Sequence, residues 1–402
     1  MRAPLPLSLY VHLPWCVRKC PYCDFNSHPL PRAGIPQQAY LTALLDDLDY
    51  AARDCADREI GSVFFGGGTP SLFDAAAIGA VLERARRRLR VAADAEVTLE
   101  ANPGAVERGR FAACREAGVN RVSLGAQSFD DVRLAAIGRI HASAEIFAAV
   151  HELREAGIAN FNLDLMYGLP EQSVDEALRD VELAVGLAPA HLSHYQLTLE
   201  PGTPFARRPP ALPHEDAAFA MQVACQESLA GAGYRQYEVS AWALDGRQCR
   251  HNLNYWRFGD YLGIGAGAHG KLTDPATGTV TRTARVPQPG RYMAAGRPHA
   301  RIGEVRTLTP EDLAFEYCLN ALRLVDGFDI HEFEARTGLP RAAIADALRM
   351  ARAKGLIETA ATGLWVPTAL GRRFLNDLQA LFLPDPHEKK VLEGLARVRE
   401  IG

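Results

Sequence analysis

The sequence predicts an α/β protein: an incomplete (β/α)6 barrel followed by a smaller, mostly helical module resembling a winged helix. Three observations lead there. Strand-like apolar runs alternate with helix-like segments through the first half. Six such units follow one another with no reversal signal. A new set of short helices begins near residue 309, after a polar stretch rich in Gly and Pro. Strands alternating with helices of about 10–15 residues imply parallel strands joined by right-handed crossovers. Six in succession favour a curved sheet over a flat, doubly wound one. In such barrels the chemistry collects at the C-terminal ends of the strands.

The elements follow in order. Residues 7–13 form a short apolar run before Pro14, and 37 to about 53 carry apolar residues at helical spacing. Val63-Phe64-Phe65 is a β-rich run ending in Gly66-Gly67-Gly68, and 75–89 is helical again. A strand over 96–100 precedes a helix over 111–117, stopped by Gly118. The cycle repeats with a strand at 121–124 and a helix at 142–156, then a strand at 161–165 and a helix at 174–185. A last strand is expected over 194–199, a Pro-rich loop over 201–213 and a longer helix over 215–229. The polar stretch 274–298 has little periodicity and reads as a connection. Thr309-Pro310-Glu311-Asp312 opens a helix with Thr as N-cap and Pro at the first helical position. Helices over 330–337 and 341–354, a strand pair over 357–366 and a final helix over 369–381 complete the module. The domain division expected is therefore 1–270 for the barrel and its extension, 271–304 for a connecting segment and 305–402 for the C-terminal module.

Composition bounds the function. A 402-residue chain with 48% hydrophobic and 23% charged residues is ordinary for a globular protein. Its net charge of −4 gives no electrostatic push toward nucleic acid or an anionic membrane. No apolar run reaches the ~18–20 residues that span a bilayer, and the proline-broken start Met1-Arg2-Ala3-Pro4-Leu5-Pro6 makes a signal peptide an unfavourable reading. A cytoplasmic protein is expected, with no transmembrane segment and with peripheral membrane contact left open. Of the eight cysteines, Cys16, Cys20 and Cys23 crowd into eight residues; Cys55, Cys114, Cys225, Cys249 and Cys318 are scattered. The clustered thiols read as metal ligands in a reducing compartment, and the scattered ones as small core residues.

Cys16-Val-Arg-Lys-Cys20-Pro-Tyr-Cys23 is C-x3-C-x2-C. Thiolates ligate iron–sulfur clusters, and a [4Fe–4S] cube takes four when saturated. Three on one loop leave one iron open to chelate a small molecule, much as a catalytic metal keeps an open position. Zinc is the competing reading, but it normally wants a fourth Cys or His at regular spacing; His12 and His28 are the nearby candidates. With an aromatic before the third Cys, the motif resembles the signature of the radical SAM superfamily. The resemblance implies that a reduced [4Fe–4S] cluster passes an electron to the sulfonium of S-adenosylmethionine (SAM), giving a 5′-deoxyadenosyl radical, while the protein positions the cofactor and excludes water.

The polar residues at successive strand ends fit that resemblance. Gly66-Gly67-Gly68-Thr69-Pro70 follows the second strand, where glycine lets a ligand approach the backbone; it resembles the segment that receives the methionine amino group. Glu100, Gln127 and Asp164 lie on the third, fourth and fifth strands and would project toward one mouth of the barrel. Each alone is equally a local cap; their succession is what carries weight. Arg139, after the fourth strand, offers a guanidinium for the methionine carboxylate. Tyr10 and Tyr22 would pack against the ligand, or serve only as barrel packing.

The likeness narrows further. Leu9-Tyr-Val-His-Leu-Pro-Trp-Cys16, Gly66-Gly67-Gly68-Thr69-Pro70, Glu100-Ala-Asn-Pro103, Ser123-Leu-Gly-Ala-Gln-Ser-Phe129 and Asn162-Leu-Asp-Leu-Met-Tyr-Gly-Leu-Pro170 resemble the HemN/HemW family over nearly the whole chain. The family holds oxygen-independent coproporphyrinogen III dehydrogenases and heme chaperones. The resemblance implies SAM contacts at Tyr10, Gly67, Gly68, Thr69, Glu100, Gln127, Arg139 and Asp164. The dehydrogenases carry a further cysteine two residues after the third ligand and a longer N-terminal arm. Here Phe25 stands at that position and only 15 residues precede Cys16. His251-Asn-Leu-Asn-Tyr-Trp256 resembles the HNxxYW motif of the heme chaperones. A His imidazole is a standard axial ligand of heme iron, and Tyr255 and Trp256 offer faces for a macrocycle. The competing reading is that His251 caps a loop over a core of aromatics; Cys249 is a second candidate ligand.

The leading expectation is a protein that binds heme and hands it to apo-acceptor proteins, carrying a SAM-bound [4Fe–4S] cluster served by a flavodoxin or ferredoxin-type electron donor. The alternative is radical decarboxylation of coproporphyrinogen III. A third class, radical modification of nucleic acid, lacks the basic character it requires. No catalytic residue is assigned.

Overall fold

In the computed structural model, residues 5–55, 57–104 and 109–384 are described. Six parallel strands in chain order form the centre of one sheet: β1 (Leu7–Leu13), β2 (Glu59–Gly67), β3 (Arg90–Ala101), β4 (Arg121–Gln127), β5 (Phe161–Tyr167) and β6 (His191–Gln196). Between them run the helices Gln37–Ala51, Ala75–Arg88, Phe111–Ala117, Ser143–Glu155 and Val174–Gly186. This is the partial barrel the alternation predicts. Its outer faces carry Leu9, Val11, Val63, Phe65, Val97, Leu99, Val122, Leu124, Leu163 and Leu192, all buried in one core with the helices. Each such side chain contributes about 1.5–3 kcal/mol on burial. The alternate residues point the other way and are polar or aromatic: Ser8, Tyr10 and His12; Ser62 and Phe64; Glu96, Thr98 and Glu100; Arg121 and Ser123; Asn162 and Asp164. The core side follows the sequence rule; the lumen is where the site is built.

The sheet extends beyond the six strands. β7 (Arg235–Glu238) and β8 (Ala241–Ala243) pair antiparallel beyond β6. On the other side β9 (Asp260–Ile264) runs parallel to β1, followed by antiparallel β10 (His269–Thr273), β11 (Val280–Arg285) and β12 (Ile302–Thr307). The stretch 271–304, read as a connection, therefore contains sheet. Its strands hide from hydropathy because their inward residues are charged and paired. Arg285 Nε donates to the buried Asp47 at 2.9 Å, and Arg282 Nε donates to the buried Glu316 at 2.9 Å. The sixth barrel strand also begins three residues before the expected start.

The C-terminal module has its own core around Phe315, Tyr317, Phe328, Phe333 and Leu348. Its helix Pro310–Ala321 is capped as the sequence suggests. Asp312 N–H donates to Thr309 Oγ1 at 3.2 Å, and Thr309 N–H donates to Asp312 Oδ2 at 3.1 Å. Helices Ile330–Thr337 and Ala342–Ala353 precede an antiparallel pair, Ile357–Thr359 with Trp365–Pro367. The expected last helix is two, Ala369–Arg373 and Leu375–Ala380, broken at Phe374 (φ −110°, ψ 47°).

Candidate functional site

The cysteine loop leaves the C-terminal end of β1 and is folded back on the barrel. Trp15–Cys16 pairs in parallel with His28–Pro29. His28 N–H donates to Pro14 O at 2.6 Å, and Leu30 N–H donates to Cys16 O at 2.9 Å. Lys19 Nζ closes the loop from within, donating to Phe25 O at 2.7 Å. The glycine segment after β2 supports it. Gly68 N–H donates to Leu13 O and Thr69 N–H to Trp15 O, each at 2.8 Å. A Cβ at Gly68 would lie 2.6 Å from Trp15 O, so only glycine fits this approach. Trp15 itself is buried edge-on against Tyr40, ring centres 4.8 Å apart.

Cys16, Cys20 and Cys23 are partly exposed and form no disulfide. Burial pushes the Cys16 thiol up to about 11 and raises that of Cys23. Among the described residues no three His, Cys, Asp or Glu side chains gather about one point closely enough for a single ion. Zinc draws all its ligands onto one centre. A cube binds each thiolate to a different iron, and three thiolates on one loop fit that demand.

Beside the loop, several of the candidate SAM residues share one mouth. Gly67 has φ +113°, and its N–H donates to Glu100 Oε2 at 3.1 Å. A Cβ at Gly67 would strike the His12 ring at 2.4 Å. Gly66 is ringed by Tyr10, Phe64 and Glu100, whose nearest atoms would lie 3.0–3.1 Å from an added Cβ. Burial, then the neighbouring Asp164, raises the Glu100 carboxyl to about 8; the Gly67 N–H and Arg121 pull the other way. Burial also raises Asp164, which accepts from Asn162 Nδ2 at 2.7 Å and Ser123 Oγ at 3.3 Å. Gln127 sits at the end of β4 with φ +70°, a conformation that side chains rarely adopt, and its Oε1 accepts from Tyr195 OH at 2.9 Å. Arg139 reaches back toward the loop: Nη2 donates to Asn102 Oδ1 and to Gly125 O at 2.5 Å each, and Nη1 lies 3.8 Å from Cys20 Sγ. Tyr22 packs with Ile137, Met166, Leu169 and Leu197. It also lies beside Cys20 and Arg139, whose charges act on its hydroxyl.

The residues that sequence reasoning missed are the links. Asn102 bridges Arg139 to Thr69, its Nδ2 donating to Thr69 Oγ1 at 2.8 Å. Tyr195 anchors Gln127. His12 joins Tyr10 OH (3.1 Å) to the Asn26 carbonyl (3.0 Å). Asn102 and His12 both stand in motifs that were legible. Tyr195 stands in a strand whose start was misplaced, so its facing was hidden.

His251 lies at the opposite end of the lumen. It belongs to a helix, Arg250–Trp256, whose first amides are capped by the β3 carboxylate of Glu96: Arg250 N–H donates to Glu96 Oε1 at 2.9 Å and His251 N–H at 3.4 Å. His251 is 1% exposed. Its Nδ1 pairs with Ser62 Oγ at 3.0 Å and its Nε2 with Tyr255 OH at 3.1 Å. Its ring stacks on Phe64 (5.0 Å, 28°) and lies 6.2 Å from Tyr10. Burial, then Arg121, lowers its pKa to about 3, so the imidazole is neutral. The open aromatic faces expected at Tyr255 and Trp256 are not presented. Tyr255 is edge-on to His251 and Tyr261, and Trp256 is covered by Arg323 at 4.2 Å. Cys249 is buried, its Sγ 3.6 Å from Glu96 Oε1. Burying these groups against each other covers their apolar faces and pairs His251 and Tyr255, but leaves Trp256 Nε1 without a partner among the described residues.

Comparison with known proteins follows the same outline. Residues 10–184 match the model of the radical SAM superfamily, and 308–374 match that of the HemN C-terminal domain. The heme chaperone HemW of Escherichia coli K12 is 48% identical over 380 residues, covering 94% of this chain and 99% of the relative. Its counterpart in Haemophilus influenzae is 46% identical over 384 residues, 94% and 98%. A mouse mitochondrial protein, radical S-adenosyl methionine domain-containing protein 1, is 42% identical over 71% of this chain and 66% of its own length. The solved structure of coproporphyrinogen III oxidase (HemN) from Escherichia coli superposes with a TM-score of 0.78 at 23% identity, covering 94% of this chain and 90% of that one. That last likeness speaks to the fold.

Proposed function

The chain belongs to the radical SAM superfamily and, within it, to the family of the HemW heme chaperones; from that premise we propose that it binds heme and passes it to apo-acceptor proteins. The observation that carries the reading is 48% identity over 380 residues, spanning 94% of this chain and 99% of the relative. The likeness to HemN, at 23% identity, supports a common fold without a common reaction. Phe25, where the decarboxylating branch carries a cysteine, favours the chaperone over the decarboxylase.

In this reading Cys16, Cys20 and Cys23 hold the [4Fe–4S] cluster, and Gly67, Gly68, Thr69, Glu100, Gln127, Arg139 and Asp164 hold SAM, with Tyr10 beneath it. The bound cluster supplies an electron for the SAM sulfonium, delivered by a flavodoxin or ferredoxin-type donor. Arg139, beside both Cys20 and the Asn102–Thr69 link, ties the two halves of the site together. His251 is the heme ligand. Its neutral imidazole needs no deprotonation, and Ser62 is placed to orient it as the other nitrogen binds iron. The cytoplasm, where thiols stay reduced, is the fitting compartment; among the described residues no helix is long and apolar enough to cross a membrane.

An anaerobic titration of hemin into the reconstituted protein tests this. We expect one saturable Soret-absorbing site per chain, lost or spectrally shifted in His251→Ala. Absence of binding, or an unchanged spectrum in the variant, defeats the assignment, and robust release of CO2 from coproporphyrinogen III would restore the enzyme reading.

A further inference from the structure

Two sites that the chain's polar residues suggest separately share one wall. Phe64 and Tyr10 stand in register on β2 and β1, side by side in the lumen. On their upper side they meet Gly66 and Glu100, at the glycine segment. On their lower side they meet the His251 ring. One aromatic layer therefore serves as the floor of the upper site and the ceiling over His251.

His251 cannot reach a heme in the arrangement described. It is buried, Tyr255 OH occupies Nε2, and the ring is pinned beneath Phe64. A macrocycle gains access only if the helix Arg250–Trp256 leaves the barrel floor. That helix is short, and its docked state carries unpaid cost. Trp256 Nε1 is buried and finds no partner among the described residues. Phe258, just past the helix, holds φ +56°, which is strained for a bulky side chain. An unsatisfied buried donor costs about 1–3 kcal/mol. The helix is held by the Glu96 cap, the stacked Phe64 ring, two hydrogen bonds of His251, Arg250 on Asp94, Asn254 on the Asp260 carbonyl, Tyr255 on Tyr261 and Arg323 over Trp256. All but the cap and the Phe64 stack are single side-chain contacts, and against the cost at Trp256 and Phe258 a second arrangement is within reach.

We propose that SAM binding and heme ligation by His251 are reciprocally antagonistic, coupled through the Phe64–Tyr10 layer and the docking of the helix Arg250–Trp256. This rests on the reading of His251 as the heme ligand. SAM packed on the glycine segment holds Tyr10 and Phe64 in place, and with them the stacked His251. Heme drawing His251 away removes the support beneath Gly66 and Glu100. Linkage requires that each ligand weaken the other by the same factor, and coupling between sites of this kind is typically about 5- to 150-fold.

The experiment uses the full-length, cluster-reconstituted chain under anaerobic conditions. Hemin affinity is read from the Soret band with and without saturating SAM, and SAM affinity by equilibrium dialysis with and without hemin. The expected result is hemin binding weakened about fivefold or more by SAM, with SAM weakened by hemin to the same extent. In Phe64→Leu, which keeps the ligating residues but loses the stacked ring, each ligand's affinity is first measured alone, and the factor by which either weakens the other relative to that baseline falls toward one. Equal hemin affinity with and without SAM overturns the inference while leaving the heme reading intact. Undiminished antagonism in Phe64→Leu also overturns it, since the two ligands would then overlap directly. If hemin fails to bind in the absence of SAM, or binds His251→Ala as tightly, the heme reading itself falls and the coupling falls with it.

Discussion

At the scale of single residues, the upper site turns on Glu100. Its carboxyl is raised to about 8 by burial and by Asp164, while the Gly67 N–H favours the charged form. The sign is fixed by what it gains and loses. In the free protein ionisation is disfavoured, so folding stability falls as pH rises from the ordinary carboxylate range toward 8. A cationic ligand beside Glu100 reverses the preference and pulls the proton off. SAM affinity is therefore expected to strengthen from about pH 6 to about pH 8, then level off, with proton release on binding. Calorimetry in buffers of different protonation enthalpy reads the release directly. Glu100→Gln should abolish it and weaken binding about 10- to 100-fold, the worth of a hydrogen bond to a charged group. An unchanged proton count in Glu100→Gln would remove Glu100 from the site. The same residue shows what was legible. A polar side chain ending an apolar strand suggests a site, and Glu100, Gln127 and Asp164 are proposed on that ground. Their partners Asn102, Tyr195 and Arg121 are not, because a hydrogen bond between distant strands leaves no periodicity in either.

Among elements, the cysteine loop and the glycine segment are one construction. The loop's own bonds are joined from outside by two backbone hydrogen bonds from Gly68 and Thr69, made at a separation that excludes a side chain at 68. Gly68→Ala must push Trp15 O away from 2.6 Å, at a cost of about 1–3 kcal/mol. We expect a lowered melting temperature together with reduced iron and sulfide content after reconstitution. Gly186→Ala is the matched control: nothing lies within 4 Å of an added Cβ at the end of its helix, so folding and cluster content should hold. Equal cluster loading in both variants would show that the loop sets its own geometry. The strands of the barrel were readable because their outer faces obey one rule, burial against helices. β11 and β12 escaped because Arg282, Arg285 and Arg306 read as surface residues, whereas each is turned inward onto a carboxylate. The His251 helix was visible as a motif. Its direction was not, since a seven-residue helix has no stripe long enough to say which face is buried.

Across the whole molecule, those same hidden strands decide how the C-terminal module is attached. Glu316 is fully buried on the module's first helix, Pro310–Ala321. It accepts from Arg282 Nη2 at 2.5 Å and Nε at 2.9 Å, both from β11, and from Arg306 Nη2 at 3.0 Å, from β12. Glu316 is thus a buried carboxylate joining the barrel's sheet to the module through two guanidinium groups; Arg323 on Glu238 at 3.0 Å and the Val325 N–H on the Tyr237 carbonyl at 3.1 Å join them elsewhere. A buried pair of this kind gives little net stability against an apolar replacement, yet breaking it from one side strands the remaining charges. Glu316→Ala leaves Arg282 and Arg306 with Asp312 as the remaining nearby carboxylate, which pairs with Arg306 at 3.0 Å. We expect a loss of about 3–5 kcal/mol in urea unfolding, or a new early transition in which the module melts ahead of the barrel. Asp346→Ala, which breaks an exposed pair with Arg349, should leave the curve unchanged. If Glu316→Ala unfolds like the wild type in a single transition, the attachment rests on the other joints: Phe258 and Val280 packed with Leu313, Tyr317 and their neighbours in the second core, and Arg323 on Glu238. The docking of the His251 helix would then be controlled by packing from the module, and Arg323 over Trp256 becomes the contact through which that control acts.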